Sequence, residues 1–134
     1  MTGQISELTV DECLELLEQQ NVGRVALVTP GGVRIVPVNY ALYDDQVVFR
    51  TAPYSELGSY GDGAEVAFEI DSLDPEHHEG WSVVAFGRAA LVDDPDEVTD
   101  IKRAGDPSPW AAGTRSLYMK IAWVSVTGRR ITAQ

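Results

Sequence analysis

The chain reads as a mainly β protein, an antiparallel β-barrel with peripheral helices, and three observations predict this. From Val22 onward, apolar residues alternate with polar ones in run after run, each bounded by Gly, Pro, Asn or Asp. The runs follow one another through short turns, so the strands pair as sequential hairpins and no βαβ crossover is written into the chain. Helical spacing appears only before the first long run and before the last, outside the meander.

The elements follow in order. Thr9 precedes Val10-Asp11-Glu12 as an N-cap, with Glu12 at N3 to complete a capping box and Leu8 placed to staple onto Cys13. Val10, Cys13, Leu14 and Leu17 recur at helical spacing while Asp11, Glu15 and Glu18 face away, which predicts one amphipathic helix ending near Gln20. Cys13 then lies on the buried stripe as a small hydrophobe. Residues 22–29 read as a strand, Pro30-Gly31-Gly32 as a tight turn, 33–43 as a second strand and 47–52 as a third, after the turn Asp44-Asp45-Gln46. Pro37 cannot donate to a ladder, so its strand lies at an edge there or carries a bulge or bend. Residues 55–60 make at most one helical turn, because Gly58, Gly61 and Gly63 break it. Strands at 64–70 and 81–92 come next, joined by the polar segment 71–80. Asp94 caps a second helix with Pro95 at N1 and acids in its first turn, running to Ala104. Residues 105–113, holding Pro107, Pro109 and Trp110, form an irregular loop before a last strand at 117–126, with Gly128-Arg129-Arg130 near its exit. With no repeats or linkers, residues 1–134 are expected to form a single domain of five to seven strands and two peripheral helices.

Composition narrows the partners. The 134 residues carry 21 acidic and 10 basic side chains, a formal charge of -11. Such a chain repels a phosphodiester backbone unless its cations cluster, and Arg24, Arg34, Arg50, Arg88, Arg115 and Lys120 are scattered, so nucleic acid is not an expected partner. The basic set is eight Arg and two Lys, which leaves any anion site to Arg or to backbone amides. No apolar stretch approaches the roughly 20 residues that span a bilayer. Residues 1–7 have neither the basic nor the apolar region of a signal peptide, so the expected location is the cytoplasm and no membrane is involved. One cysteine excludes an internal disulfide, and a chain of this length buries about two-thirds of its surface without one.

Few motifs carry chemistry. His77-His78-Glu79 offers two imidazoles and a carboxylate, but neighbours on an extended chain point apart, and the segment reads as a solvated loop with no metal. No nucleophile elbow is present, and neither phosphate-loop nor dinucleotide glycine spacing occurs. Glu69 and Asp71 share a strand face, which among 21 acids is expected by coincidence. What remains is Arg, Thr and Ser at strand ends: Val33-Arg34-Ile35-Val36-Pro37, Phe49-Arg50-Thr51 and Tyr54-Ser55-Glu56-Leu57. Arg with hydroxyls and backbone N–H groups at the start of a helical turn can hold a phosphate, whereas exposed positions on a barrel rim are the simpler reading of the same residues.

Taken in order, a short acidic helix, Val22-Gly23-Arg24-Val25-Ala26, Val36-Pro37-Val38-Asn39-Tyr40, Val48-Phe49-Arg50-Thr51, Val66-Ala67-Phe68-Glu69-Ile70-Asp71, Gly80-Trp81-Ser82-Val83-Val84, Gly87-Arg88-Ala89, Pro109-Trp110 and Val126-Thr127-Gly128-Arg129-Arg130 form a specific set. That set resembles the pyridoxamine 5'-phosphate oxidase-like family, most of all its small flavin-binding, nitroimidazole-reductase-like branch, over residues 8–131. The resemblance implies a split β-barrel of the FMN-binding type that forms a homodimer, with flavin mononucleotide (FMN) in each of two grooves between subunits. It implies that Arg34, Ile35, Val36 and Pro37 run beside the isoalloxazine ring, that Arg50, Thr51, Ser55 and Glu56 match the phosphate-binding segment, and that Trp81 and Ser82 lie on a strand approaching the flavin. Trp110 and Arg115 are implied to reach the site from the partner subunit. The flavin would carry hydride or electron transfer to an unidentified small substrate while the protein supplies binding and electrostatics; no catalytic residue is indicated.

One position departs from the family pattern. Relatives usually carry Lys or Arg where this chain has Glu56, and a carboxylate a few ångströms from a phosphate repels it by several kcal/mol at an effective dielectric of about 20. That motivates a second reading, a split-barrel dimer without cofactor that serves as a binding or sequestering module. Deazaflavin F420 in place of FMN is a third. Trp81, Trp110 and Trp123 are expected as core or interface aromatics, and Asn39 and Tyr40 as partners of backbone groups inside the barrel.

Overall fold

The computed structural model describes residues 3–110 and 113–133. The elements run β1 (Gln4–Glu7), α1 (Val10–Gln19), β2 (Val22–Thr29), β3 (Gly32–Tyr43), β4 (Gln46–Thr51), α2 (Glu56–Tyr60), β5 (Glu65–Asp74), β6 (Glu79–Leu91), α3 (Pro95–Gly105) and β7 (Leu117–Thr132). Every pairing is antiparallel, in the order β1-β7-β4-β3-β2-β5-β6, and β6 also pairs with β7. Six strands therefore close into a ring, which leaves few free edges, and β1 hangs on the outside of β7. The 16 residues of β7 serve three neighbours: β6 along one side, β4 through 117–121 and β1 through 129–132 on the other. The ring is incompletely laddered. β3 meets β4 only through residues 40–43, and β2 meets β5 only through 24–26. The first half of β3 is thus unpaired on its β4 side, and Pro37 sits in that half, an edge position that tolerates a residue without an N–H.

Inward-facing Val25, Leu27, Phe49, Phe68, Ile70, Val83, Met119 and Ile121 fill the ring, and α1 plugs it with Cys13, Leu16 and Leu17. The Tyr40 hydroxyl donates to the Leu17 carbonyl at 2.7 Å, and its ring meets Phe68 edge-on at 4.8 Å, so this tyrosine does satisfy a backbone group in the interior. The expected capping box is formed, Thr9 N–H to Glu12 Oε1 at 2.9 Å and Glu12 N–H to Thr9 Oγ1 at 3.1 Å. A Cβ at Gly128 would lie 2.8 Å from Cys13 Sγ, so glycine is what lets α1 lie directly on β7. The buried stripe is rotated from the predicted one: Leu16 takes the place of Val10, which lies in the first turn and is exposed. Outside the ring, α3 packs Ile101 and Val98 against Val48, Val92 and Tyr118, and Lys120 pairs with Glu97 at 2.9 Å. Its start follows the sequence, with Asp94 as cap and Pro95 in the first turn.

Three expectations need correction. Residues 71–74 and 79–80 are strand, continuing the β5–β6 hairpin as an arm paired from Asp71↔Ser82 to Asp74↔Glu79, and only 75–78 form its turn. Gly128-Arg129-Arg130 lies within β7 and pairs with β6, not at a strand exit, and β1 was not expected at all. Among the described residues the helices number three, because the turn at 56–60 forms α2. Most residues of β1 and of the arm's outer part are exposed on both faces, so they carry no alternation for the sequence to display.

Candidate functional site

Where the unpaired half of β3 passes the end of β4, the chain leaves a cavity of about 250 Å³. Val36, Pro37, Arg50, Thr51, Ser55 and Arg115 all line it, together with Asn39, Tyr54 and Pro109. Its floor is the tight passage from β4 into α2. Ser55 caps α2, its Oγ accepting from Gly58 N–H at 3.0 Å and donating to the Ala52 carbonyl at 2.7 Å. Thr51 Oγ1 lies 2.7 Å from Ser55 Oγ, and since the only Ser55 hydroxyl proton is engaged, Thr51 is the donor. Both hydroxyl protons are used within the turn and Ser55 Oγ also accepts twice, so Ser55 shapes the cavity and Thr51 alone has acceptor capacity left for it. A Cβ at Gly58 would lie 2.3 Å from the Ala52 carbonyl oxygen, which fixes glycine there.

Donors to an anion therefore come from arginine. Arg50 Nε–H donates to the Arg115 carbonyl at 3.2 Å, and Nη1 donates to Asp106 Oδ2 at 3.2 Å. The guanidinium also lies over the Tyr118 ring, 5.1 Å from its centroid. Tyr118 in turn donates its hydroxyl to Asp106 Oδ1 at 2.7 Å. Burial, reinforced by that hydrogen bond, pushes the Tyr118 phenol up to about 12, so it remains a donor at neutral pH. These bonds take two of the five guanidinium N–H groups and leave the others on the terminal nitrogens. Asn39 Oδ1 accepts the Trp110 backbone N–H at 2.9 Å, tying the loop after α3 to β3; this asparagine satisfies a backbone group in that loop and not inside the barrel. Asp106, Tyr118 and Asn39 had no signal in the sequence as site residues, because their contacts join segments far apart in the chain.

The remaining expected residues lie elsewhere. Arg34 Nε is 3.3 Å from Glu56 Oε1, and neither residue lines the cavity. Ile35 is exposed on the outer sheet face beside Val28 and Val33. Trp110 is 75% exposed. Ser82 lines a groove of about 450 Å³ with Thr127 and Arg129, and Trp81, packed in part on the core, borders a shallow hollow with Arg130. A single chain does not bring Trp81 and Ser82 to the Arg50 cavity. Arg115, assigned by the resemblance to the partner's site, lines the cavity of its own chain.

Other titratable groups stand apart from this cavity. Among the described residues no group of three His, Cys, Asp or Glu assembles, and His77 pairs with Asp74 at 2.7 Å near the tip of the hairpin arm. Glu69 and Asp71 do share a face, and both reach Arg24, at 3.1 and 3.5 Å. Burial, then the hydrogen bond and charge of Asp71, raise Glu69 to about 7 against the pull of Arg24. No helix among the described residues is long and apolar enough to cross a membrane.

Comparison with known proteins gives one answer at several levels. The family model described as pyridoxamine 5'-phosphate oxidase matches residues 9–133. The uncharacterized protein Rv0080 of Mycobacterium tuberculosis is 35% identical over 135 residues, covering 97% of this chain and 88% of that protein. Among solved structures, a candidate pyridoxamine 5'-phosphate oxidase from Corynebacterium glutamicum superposes with a TM-score of 0.82 at 28% identity, covering 100% of this chain and 98% of the other. The FAD binding protein from Mycobacterium smegmatis gives 0.78 at 30% identity, covering 93% and 97%. The chain belongs to the pyridoxamine 5'-phosphate oxidase family, and its ring of six strands is that family's split β-barrel.

Proposed function

We propose that this protein binds a flavin nucleotide, FMN in the first instance, and works as a flavin-dependent oxidoreductase on a small substrate. The observation that carries the reading is Arg50: a guanidinium fixed at the cavity wall by three separate contacts, with N–H groups left over, beside Arg115. Fixed arginine donors recognise phosphate with little ordering cost. The Mycobacterium smegmatis relative, an FAD binding protein by name, supports flavin as the ligand class. A bound flavin supplies the hydride or electron transfer; the chain anchors its phosphate through Arg50 and Arg115 and lays Val36 and Pro37 along its path. The cofactor-free reading rested on Glu56, and that carboxylate lies on Arg34 and outside the cavity, so among the described residues it gives that reading no support.

We read residues 1–134 as one domain that acts in the cytoplasm as a homodimer. The cavity of about 250 Å³ is smaller than the roughly 300–1,000 Å³ that enclose a drug-sized ligand, so a flavin needs a second wall. An apolar groove of about 520 Å³ on the outer sheet face, lined by Ala26, Val28, Val33, Phe86 and Val124, gives a second copy a surface to cover. Such a copy is what would bring Trp81 and Ser82 to the cavity. Titration of the purified protein with FMN, FAD, riboflavin and F420, read by absorbance and flavin fluorescence, tests the proposal. Saturable binding of FMN tighter than riboflavin is expected, with F420 as the outcome that changes the cofactor and keeps the class. A colourless protein that binds none of the four ends it.

A further inference from the structure

Asp106 stands where a phosphate-binding arginine has no need of it. Its Oδ2 is 3.2 Å from Arg50 Nη1, and its Oδ1 holds the Tyr118 hydroxyl at 2.7 Å, so the carboxylate is bonded on both oxygens. Arg50 is equally constrained, by the Arg115 carbonyl on Nε and by the Tyr118 ring beneath it. Lys102 Nζ lies 5.7 Å from the centroid of the same ring, so the charged groups around Tyr118 are two cations and one anion, with Arg115 a further cation at the cavity. None of these contacts has to break for an anion to meet the remaining guanidinium N–H groups. An anion bound there keeps Asp106 as a neighbour across the width of one guanidinium.

From this arrangement we infer that Asp106 is a specificity-determining residue: it is a resident counter-anion that offsets the charge of Arg50 and sets how much negative charge the cavity accepts. The inference rests on the proposed flavin site and goes beyond it, because it ranks ligands by the charge of their phosphate. A terminal phosphate monoester, nearly doubly charged at neutral pH, meets more repulsion from Asp106 than the singly charged phosphates of a dinucleotide diphosphate. Riboflavin, without phosphate, meets none.

The test measures dissociation constants of FMN, FAD and riboflavin for the full chain and for Asp106→Asn, which keeps an acceptor for Tyr118 and removes the charge. FMN binding is expected to tighten about tenfold relative to riboflavin, and by a smaller factor for FAD, as like-charge repulsion at short range requires. The ratio to riboflavin isolates the phosphate from any general change in the groove. Asp106→Ser, which also retains a hydroxyl acceptor, is measured alongside, and the far-ultraviolet circular dichroism of each variant checks that it folds. If the wild type binds no flavin, the functional reading fails first. If the wild type prefers FMN to riboflavin and the preference is unchanged in the variants, Asp106 does not tune the site. A preference that falls overturns the inference as well, and makes Asp106 a residue that positions Arg50.

Discussion

Glu56 shows how far a single residue can be read without its partner. In the sequence it is a carboxylate next to Ser55 in a segment expected to hold phosphate; in the structure its charge is met by Arg34, on β3, at 3.3 Å. Side chains on both sides of that pair are well exposed, 41% and 45%, so the pair contributes little to stability. Glu56→Lys is therefore expected to change FMN affinity by less than about threefold and the unfolding free energy by less than about 1 kcal/mol, read by fluorescence titration and urea unfolding. A gain of tenfold or more in FMN affinity would mean that the carboxylate does face the phosphate. The residue types at the cavity, Arg50 with Thr51 and Ser55, were legible because they sit together in the chain. Their roles were not. The hydroxyl protons are engaged inside the α2 turn, and the group that holds Arg50 in place comes from residue 106. No local pattern encodes a contact across 56 positions.

At the scale of elements, what the sequence displayed was what the core buries on one face. β2 and β3 alternate because one side of each faces the ring, and α1 and α3 announced their starts through local chemistry, Thr9 with Glu12 and Asp94 with Pro95. β1 and the outer part of the β5–β6 arm bury little, so backbone pairing alone extends them and no side-chain period marks it. α3 links this level to the site, since its C-terminal neighbour is Asp106. The helix is fastened by Ile101, 1% exposed against Val48, Val92 and Tyr118. Ile101→Ala is expected to cost about 2–5 kcal/mol, the range for a large-to-small change in a packed site, measured by denaturant unfolding. Because Tyr118 belongs to the same cluster and donates to Asp106, the proposed preference for FMN over riboflavin should shift in the same variant. A loss under about 1 kcal/mol would show that α3 is only loosely docked.

For the whole molecule, charge sets the behaviour. Two copies at -11 repel, so association requires a face with little charge, and the outer face around Val28, Val33, Ile35 and Val124 is exposed, at 70%, 69%, 68% and 87%, and apolar. Val28→Glu puts one further negative charge per copy on that face and is expected to halve the mass of the proposed homodimer by light scattering; a dimeric mass that stays unchanged would move the proposed contact elsewhere. At the polar margin of the same face, Glu69 is raised to about 7 by burial and by Asp71 from an ordinary 4.5. Between about pH 4.5 and 7 the folded chain then holds a proton that the unfolded chain releases. The unfolding free energy falls as pH rises through that window, and the contribution is complete below 4.5 and gone above 7. Glu69→Gln removes the titration and leaves Arg24 its partner Asp71. At pH 8 the variant is expected to be more stable than the wild type by about 1 kcal/mol, the full shift being discounted because a third of the side chain meets solvent. At pH 4, below that window, the two should unfold at nearly the same denaturant concentration. Titrating groups remote from Glu69 are common to both proteins and cancel in the difference between their profiles. A difference that stays constant from pH 4 to 8 would mean that Glu69 is not raised by its surroundings.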